Sequence, residues 1–246
     1  MKKLLSLTLA LIMILTTFTP VFAQSKQDLY NESGQILKKA GVLEGSNTGD
    51  LMLNDNLKRQ DMVVLMSRLY KQEHIAKTYS GKHKFIDITN SFYNPYIAWA
   101  VNKDLIHGMS PNKFGFNQYV TVQQFQTVLL RVLNYNEEAR DENWHNIPSL
   151  AEKYNLMEGV SVKPTEKLNR GLMAVMTVNA LKQEMKDDTK TLAEYLNIEL
   201  PVDFSVVEKV NIDRNIVKIE GTATGVKNLK LNLKPISNNI KLVKTD

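Results

Sequence analysis

The sequence predicts a mainly α chain built from three helix–loop–helix repeats, followed by a small β-rich C-terminal segment. Two observations carry this. Leu-Lys-Lys-Ala-Gly-Val-Leu-Glu-Gly (37–45), Ala-Val-Asn-Lys-Asp-Leu-Ile-His-Gly (100–108) and Ala-Glu-Lys-Tyr-Asn-Leu-Met-Glu-Gly (151–159) each end in glycine and lead through a loop to an amphipathic stretch. After Phe204 the text changes to alternating Val, Ile and Lys, which is a strand pattern.

The helix before each glycine should stop at Gly41, Asp104 and Asn155, always four residues ahead of Gly45, Gly108 and Gly159. Gly, Asp and Asn tolerate the left-handed conformation that ends helices. In the second unit Asn94 stands as a candidate N-cap, with Pro95 at the first helical position.

The longer helices align without gaps over 57–70, 120–133 and 168–181. Met62, Leu65, Met66 and Leu69 fall at i, i+3, i+4 and i+7, as do Phe125, Val128, Leu129 and Val132, so each helix buries one stripe. Thr121 with Gln124 makes a capping box and Asn169 is a good cap, whereas Lys58 at the equivalent place is a poor one. The methionines of the third helix suit adaptable core packing, and Trp99, beside Ile97 and Val101, also fits a core position.

Beyond the repeats, Asp187-Asp188-Thr189 is placed to cap a short helix through Leu196, and Pro201 breaks the pattern. Residues 184–202 are therefore expected to form a linker with a short helix. Residues 203–246, with Asn215–Gly221 and Val226–Leu233 as the clearest strands, should give three to four strands.

Residues 1–23 combine Lys2 and Lys3, an apolar run from Leu4 to Leu15 and Val21-Phe22-Ala23, the pattern of a secretory signal peptide. Its apolar run is short for a membrane span, and no other segment could cross a bilayer, so no membrane partner is expected after cleavage. The formal net charge of +5 is mild and spread along the chain, which argues against nucleic acid and allows weak attraction to polyanions. The chain has no cysteine, which excludes disulfides, thiolate metal sites and a lipid-modified N-terminus. The four histidines lack ligand spacing, no nucleophile elbow appears, and nothing singles out a glycosidase carboxylate pair. Neither a metal, a cofactor nor a catalytic activity is called for.

The run Phe85-Ile86-Asp87-Ile88, the aromatic Phe92, Ile97 in the following helix, Gly108, Phe114 and Val120-Thr121-Val122-Gln123-Gln124 resembles an S-layer homology unit. That family's helix motif, usually Thr-Arg-Ala-Glu, stands here as Lys58-Arg59-Gln60-Asp61, Thr121-Val122-Gln123-Gln124 and Asn169-Arg170-Gly171-Leu172. The resemblance covers about 28–183, with units near 28–71, 84–136 and 144–183. It is strongest in the second unit; the first lacks room for the Phe-x-Asp lead-in, and the third compresses it to Trp144-His145-Asn146-Ile147.

Membership would imply a pseudo-threefold bundle with the motif helices at its centre. It would also imply grooves between units similar to sites for anionic, often pyruvylated, secondary polysaccharides of the bacterial cell wall. The implied partner is cell-wall polysaccharide, and the implied location is the cell surface. The implied contacts are Arg59, Arg170, Asp87, Gly108, Gln123 and Gln124, with Phe92 and Tyr96 facing a groove to stack on a sugar and Trp144 serving as structure. A guanidinium suits this task because it grips a carboxylate through paired, charge-assisted hydrogen bonds. Arg59 and Arg170 recur at one repeat position, at helix starts where positive charge opposes the helix dipole. Val122 in the middle unit offers no donor, so one or two competent grooves are expected, and the Arg→Ala variants should lose binding with little change in melting. Alternative readings are a wall-associated enzyme or enzyme accessory, and a subunit that self-associates into a surface layer.

Overall fold

The computed structural model describes residues 25–201, 207–213 and 216–221. The described part is mainly helical, with eight α-helices. They are α1 (Lys26–Lys39), α2 (Arg59–Leu69), α3 (Glu73–Lys77), α4 (Asn94–Asn102), α5 (Val122–Val132), α6 (Ile147–Lys153), α7 (Arg170–Leu181) and α8 (Leu192–Leu196). Two strands, β1 (Val207–Asp213) and β2 (Ile216–Gly221), pair antiparallel. The leader expected at 1–23 and the strand expected at Val226–Leu233 lie outside the described residues. Among the described residues no helix is long and apolar enough to cross a membrane.

Each short helix ends where the repeat pattern places it. Gly41, Asp104 and Asn155 take φ of 73°, 56° and 52°. The next residue then donates back across the last turn, Val42 to Leu37, Leu105 to Ala100 and Leu156 to Ala151, at 2.8–3.0 Å. This closure turns the chain into the glycine loop. At the second unit the start differs from expectation: Tyr93 is the N-cap and Asn94 is already helical. Asn90 instead caps a 3-10 turn, Ser91–Tyr93, that runs into α4.

The starts of the long helices are joined in a ring. Leu57 N–H donates to Leu168 C=O, Leu168 N–H to Val120 C=O, and Val120 N–H to Leu57 C=O, at 2.8–2.9 Å. One step further on, Arg59, Val122 and Arg170 donate from their backbone N–H groups to Gln118, Glu166 and Asp55. Equivalent residues of the three repeats thus bond head to tail, with each unit satisfying helix-start donors of its neighbour. Thr121 and Gln124 complete the capping box and Asn169 caps α7, while Lys58 gives no side-chain cap; its helix relies on the ring.

One hydrophobic core runs through all three units, with Met62, Met66, Phe125, Leu129, Met173 and Met176 fully buried. Trp99 is buried as expected, its indole N–H reaching Gln72 Oε1 at 3.2 Å. The short helix expected near 187–196 starts later, at a capping box of Thr191 and Glu194. Leu192, Ala193, Leu196 and Ile198 are buried in the same core, and Lys71 Nζ donates to Asn197 C=O. The segment expected to be a linker is therefore packed against the bundle.

Gly171 explains why the third repeat departs from its motif. A Cβ there would lie 2.2 Å from the Tyr30 ring, because α1 and α7 approach closely at this point. Gly171→Ala should lower stability by roughly 2–3 kcal/mol, read from denaturant midpoints, since the aromatic ring has no room to retreat from a packed core.

Candidate functional site

Each glycine loop is held by a side chain from its own unit's long helix, and two of the three are gripped from a second side as well. On the first side are Arg68, Arg131 and Asn179, which occupy one position near the ends of α2, α5 and α7. Arg68 pairs with Glu44 at 2.8 Å and Glu73 at 2.9 Å. Arg131 donates to the Leu105 and Ala139 carbonyls, and Asn179 to those of Leu156 and Glu158. On the second side stands the helix start of a neighbouring unit. Arg59 Nε donates to Phe114 C=O at 2.9 Å and Nη2 to His107 C=O at 3.1 Å. Arg170 repeats this with Leu51 C=O at 2.9 Å and Glu44 C=O at 2.7 Å. In both arginines Nε and Nη2 hold the loop, and among the described residues Nη1 has no hydrogen-bond acceptor.

The two grooves differ in charge. Around Arg170 stand Asp61, Asp55 and Asp50, and Arg68 in the same groove is already paired with Glu44 and Glu73. Arg59 opens instead onto a concavity of about 340 Å³ whose lining includes His107, Gly108, Gln124, Arg131, Asp141 and Trp144. Burial pushes the Arg59 guanidinium down to about 10, partly offset by Asp87, so it stays charged at neutral pH. Burial lowers Arg131 too, with Asp141 and Asp104 acting against it. The third groove has no arginine at either place: Val122 is fully buried and Asn179 is neutral.

The other expected site residues have definite places. Gly108 lines the Arg59 groove and must be glycine, since a Cβ would meet Phe85 at 2.4 Å and two carbonyl oxygens at 2.6 Å. Gln124 lines it too, with Oε1 in the capping box and Nε2 3.3 Å from Met109 Sδ. Gln123 is buried and donates to Trp144 C=O at 2.6 Å, so it positions the rim. Trp144, expected as structure, is 43% exposed on that rim. Tyr96, expected on a groove, is 2% exposed and belongs to the core, while Phe92 stacks against it with 52% exposure.

Asp87 braces the groove from behind. Its oxygens accept from the N–H groups of Phe114, Gly115 and Phe116 at 2.8–3.1 Å, holding the loop whose Phe114 carbonyl fixes Arg59. Burial alone would raise the Asp87 carboxyl, but these three donors hold it below the usual carboxylate range. A depressed carboxyl contributes stability above its unfolded pKa of about 3.9, lost as pH falls through the folded value. Asp87→Asn should therefore destabilise the chain at neutral pH and reduce the loss of stability between about pH 5 and pH 2. Melting curves across that range check it; an unchanged acid profile would refute the loop-brace role.

The Arg131–His107–Asp141 cluster was not foreseen. Arg68, Arg131 and Asn179 share a repeat position, which was a usable signal, but Asp141 comes from a 3-10 turn, Asp141–Asn146, without helical periodicity. Among the described residues no group of three or more His, Asp or Glu is arranged to hold a metal ion. In comparison with known proteins, no family model matches this chain, and no curated protein matches it either.

Proposed function

We propose that the chain is a non-catalytic attachment module of the S-layer homology type, holding an exported protein to the bacterial cell wall through an anionic secondary polysaccharide. The three repeats would form a pseudo-threefold bundle; the head-to-tail ring of Leu57, Val120 and Leu168 supports that arrangement. The observation that carries the function is the shared pose of Arg59 and Arg170. Each is fixed by two loop carbonyls from an adjacent repeat and keeps Nη1 for a ligand. A preorganised guanidinium loses little entropy when it takes a carboxylate.

Of the grooves, the one at Arg59 is the better anion receptor. It combines two arginines, two carboxylates at its mouth, Asp141 and Asp104, and an exposed Trp144 suited to stacking on a sugar face. The Arg170 groove is charge-compensated by its own acidic residues and serves as a secondary contact at most.

Sedimentation of the mature chain with purified wall sacculi, before and after the secondary polymer is stripped, tests the proposal. Retention should depend on the polymer and weaken as salt rises. Equal retention on stripped peptidoglycan would overturn it.

A further inference from the structure

At the mouth of the Arg59 groove, His107 is held among three charged groups. Its Nε2 lies 2.9 Å from Oδ1 of Asp104, the left-handed residue that closes α4. Its Nδ1 lies 3.1 Å from both oxygens of Asp141 and 3.2 Å from Arg131 Nη2 on α5. Asn136 donates to the second oxygen of Asp104, and Arg59 from α2 reaches the His107 carbonyl. These are the charged and polar groups that face the residue from the surrounding elements.

Nδ1 thus faces a guanidinium N–H and a carboxylate together, and one ring nitrogen can serve only one of them. In the neutral ring with the proton on Nε2, Nδ1 accepts from Arg131 and turns its lone pair on Asp141. In the imidazolium both nitrogens donate, Nε2 to Asp104 and Nδ1 to Asp141. Arg131 then loses an acceptor and keeps Asp141, 3.2 Å from Nη2, and Ala139 C=O, at 2.8 Å.

We propose that His107 is a proton-operated control of this groove, tightening its hold on an anionic sugar as the medium becomes mildly acidic. Histidine is the side chain suited to change charge under such conditions. Protonation satisfies the two carboxylates that would otherwise repel an anion and adds a positive charge beside Arg59 and Arg131. By linkage, anion binding must promote proton uptake to the same degree. The proposal rests on the anion-binding reading above and specifies how that site is regulated.

The test is calorimetric titration of the mature chain with methyl β-glucuronide, whose carboxylate stays ionised throughout, at pH values from about 8 to about 5.5 and constant ionic strength. Methyl β-glucoside serves as the neutral control. Glucuronide affinity should rise about five-fold toward acid, the effect of one added charge at partly solvated range, while the glucoside shows no such rise. In His107→Gln the pH response should vanish. Ring-nitrogen shifts of the ligand-free wild-type chain should show Nδ1 gaining a proton as the Arg131 Nη signals move. An equal pH response in His107→Gln, or ring protonation that leaves Arg131 unmoved, would overturn the control. Absence of glucuronide binding at every pH, with the His107–Arg131 signals changing together, would instead overturn the anion-binding reading, and the control of binding with it.

Discussion

Arg59→Lys should weaken binding to polymer-bearing sacculi by roughly 10–100-fold, because a charge-assisted pair lost from a preformed grip is worth about 1.5–3 kcal/mol. Lysine keeps the charge, but its single ammonium nitrogen cannot reproduce the planar fork that reaches Phe114 and His107 through separate nitrogens and aims a third at a ligand. Arg170→Lys should cost much less, since Asp61, Asp55 and Asp50 already compensate that groove. Sedimentation isotherms on sacculi, run beside melting curves, decide between them. Equal losses would show that both grooves bind alike, and full binding by a folded Arg59→Lys chain would remove the arginine from the site. Alanine is the wrong probe. Arg59 is 5% exposed and satisfies two carbonyls, so its truncation should lower the melting temperature by about 5–10 °C, against the expectation from sequence that stability would hardly change. Val122→Ala likewise would report a core cavity, because Val122 is fully buried.

Truncation after Gln183 should abolish cooperative folding. It removes Leu192, Leu196 and Ile198 from the core, and burying such side chains contributes about 1.5–3 kcal/mol each, together comparable to the whole stability of a domain. Truncation after Pro201 should leave the thermal transition sharp. A chain ending at Gln183 that melts sharply at the full-length temperature would show that α8 is an accessory. Loss of the transition at Gln183 and its retention at Pro201 would place the C-terminal limit of the folded unit beyond the third repeat.

What could be read from the sequence was what local chemistry dictates. The left-handed residues Gly41, Asp104 and Asn155, the caps Thr121 and Asn169, and the apolar stripes of α2 and α5 each follow from a few neighbouring positions. The site was legible only where the repeat alignment marked it. Arg59 and Arg170 stood out by recurrence, and their carbonyl partners emerge only once the loops of adjacent units are brought together. Tyr96 is buried and Trp144 exposed, the reverse of the burial expected for them. Tyr96 lies in α4 just after the 3-10 turn Ser91–Tyr93 and Trp144 within the turn Asp141–Asn146, where helical periodicity gives no guide to which face is buried. Asp87 appeared as a ligand contact in the motif and proves to be occupied by three backbone donors.

The ring of Leu57, Val120 and Leu168 bears on when the chain can complete its fold. The circuit cannot close on two repeats, because with the third missing Leu57 N–H loses its acceptor and Val120 C=O its donor. The pairing also joins the first repeat to the last, so closure must wait for nearly the whole bundle to be made. During synthesis this pairing is therefore completed late, after the third repeat has emerged. Under the export proposed above, that order would suit passage as an extended strand: the contacts that unite the finished repeats would form only once α8 had followed the rest across.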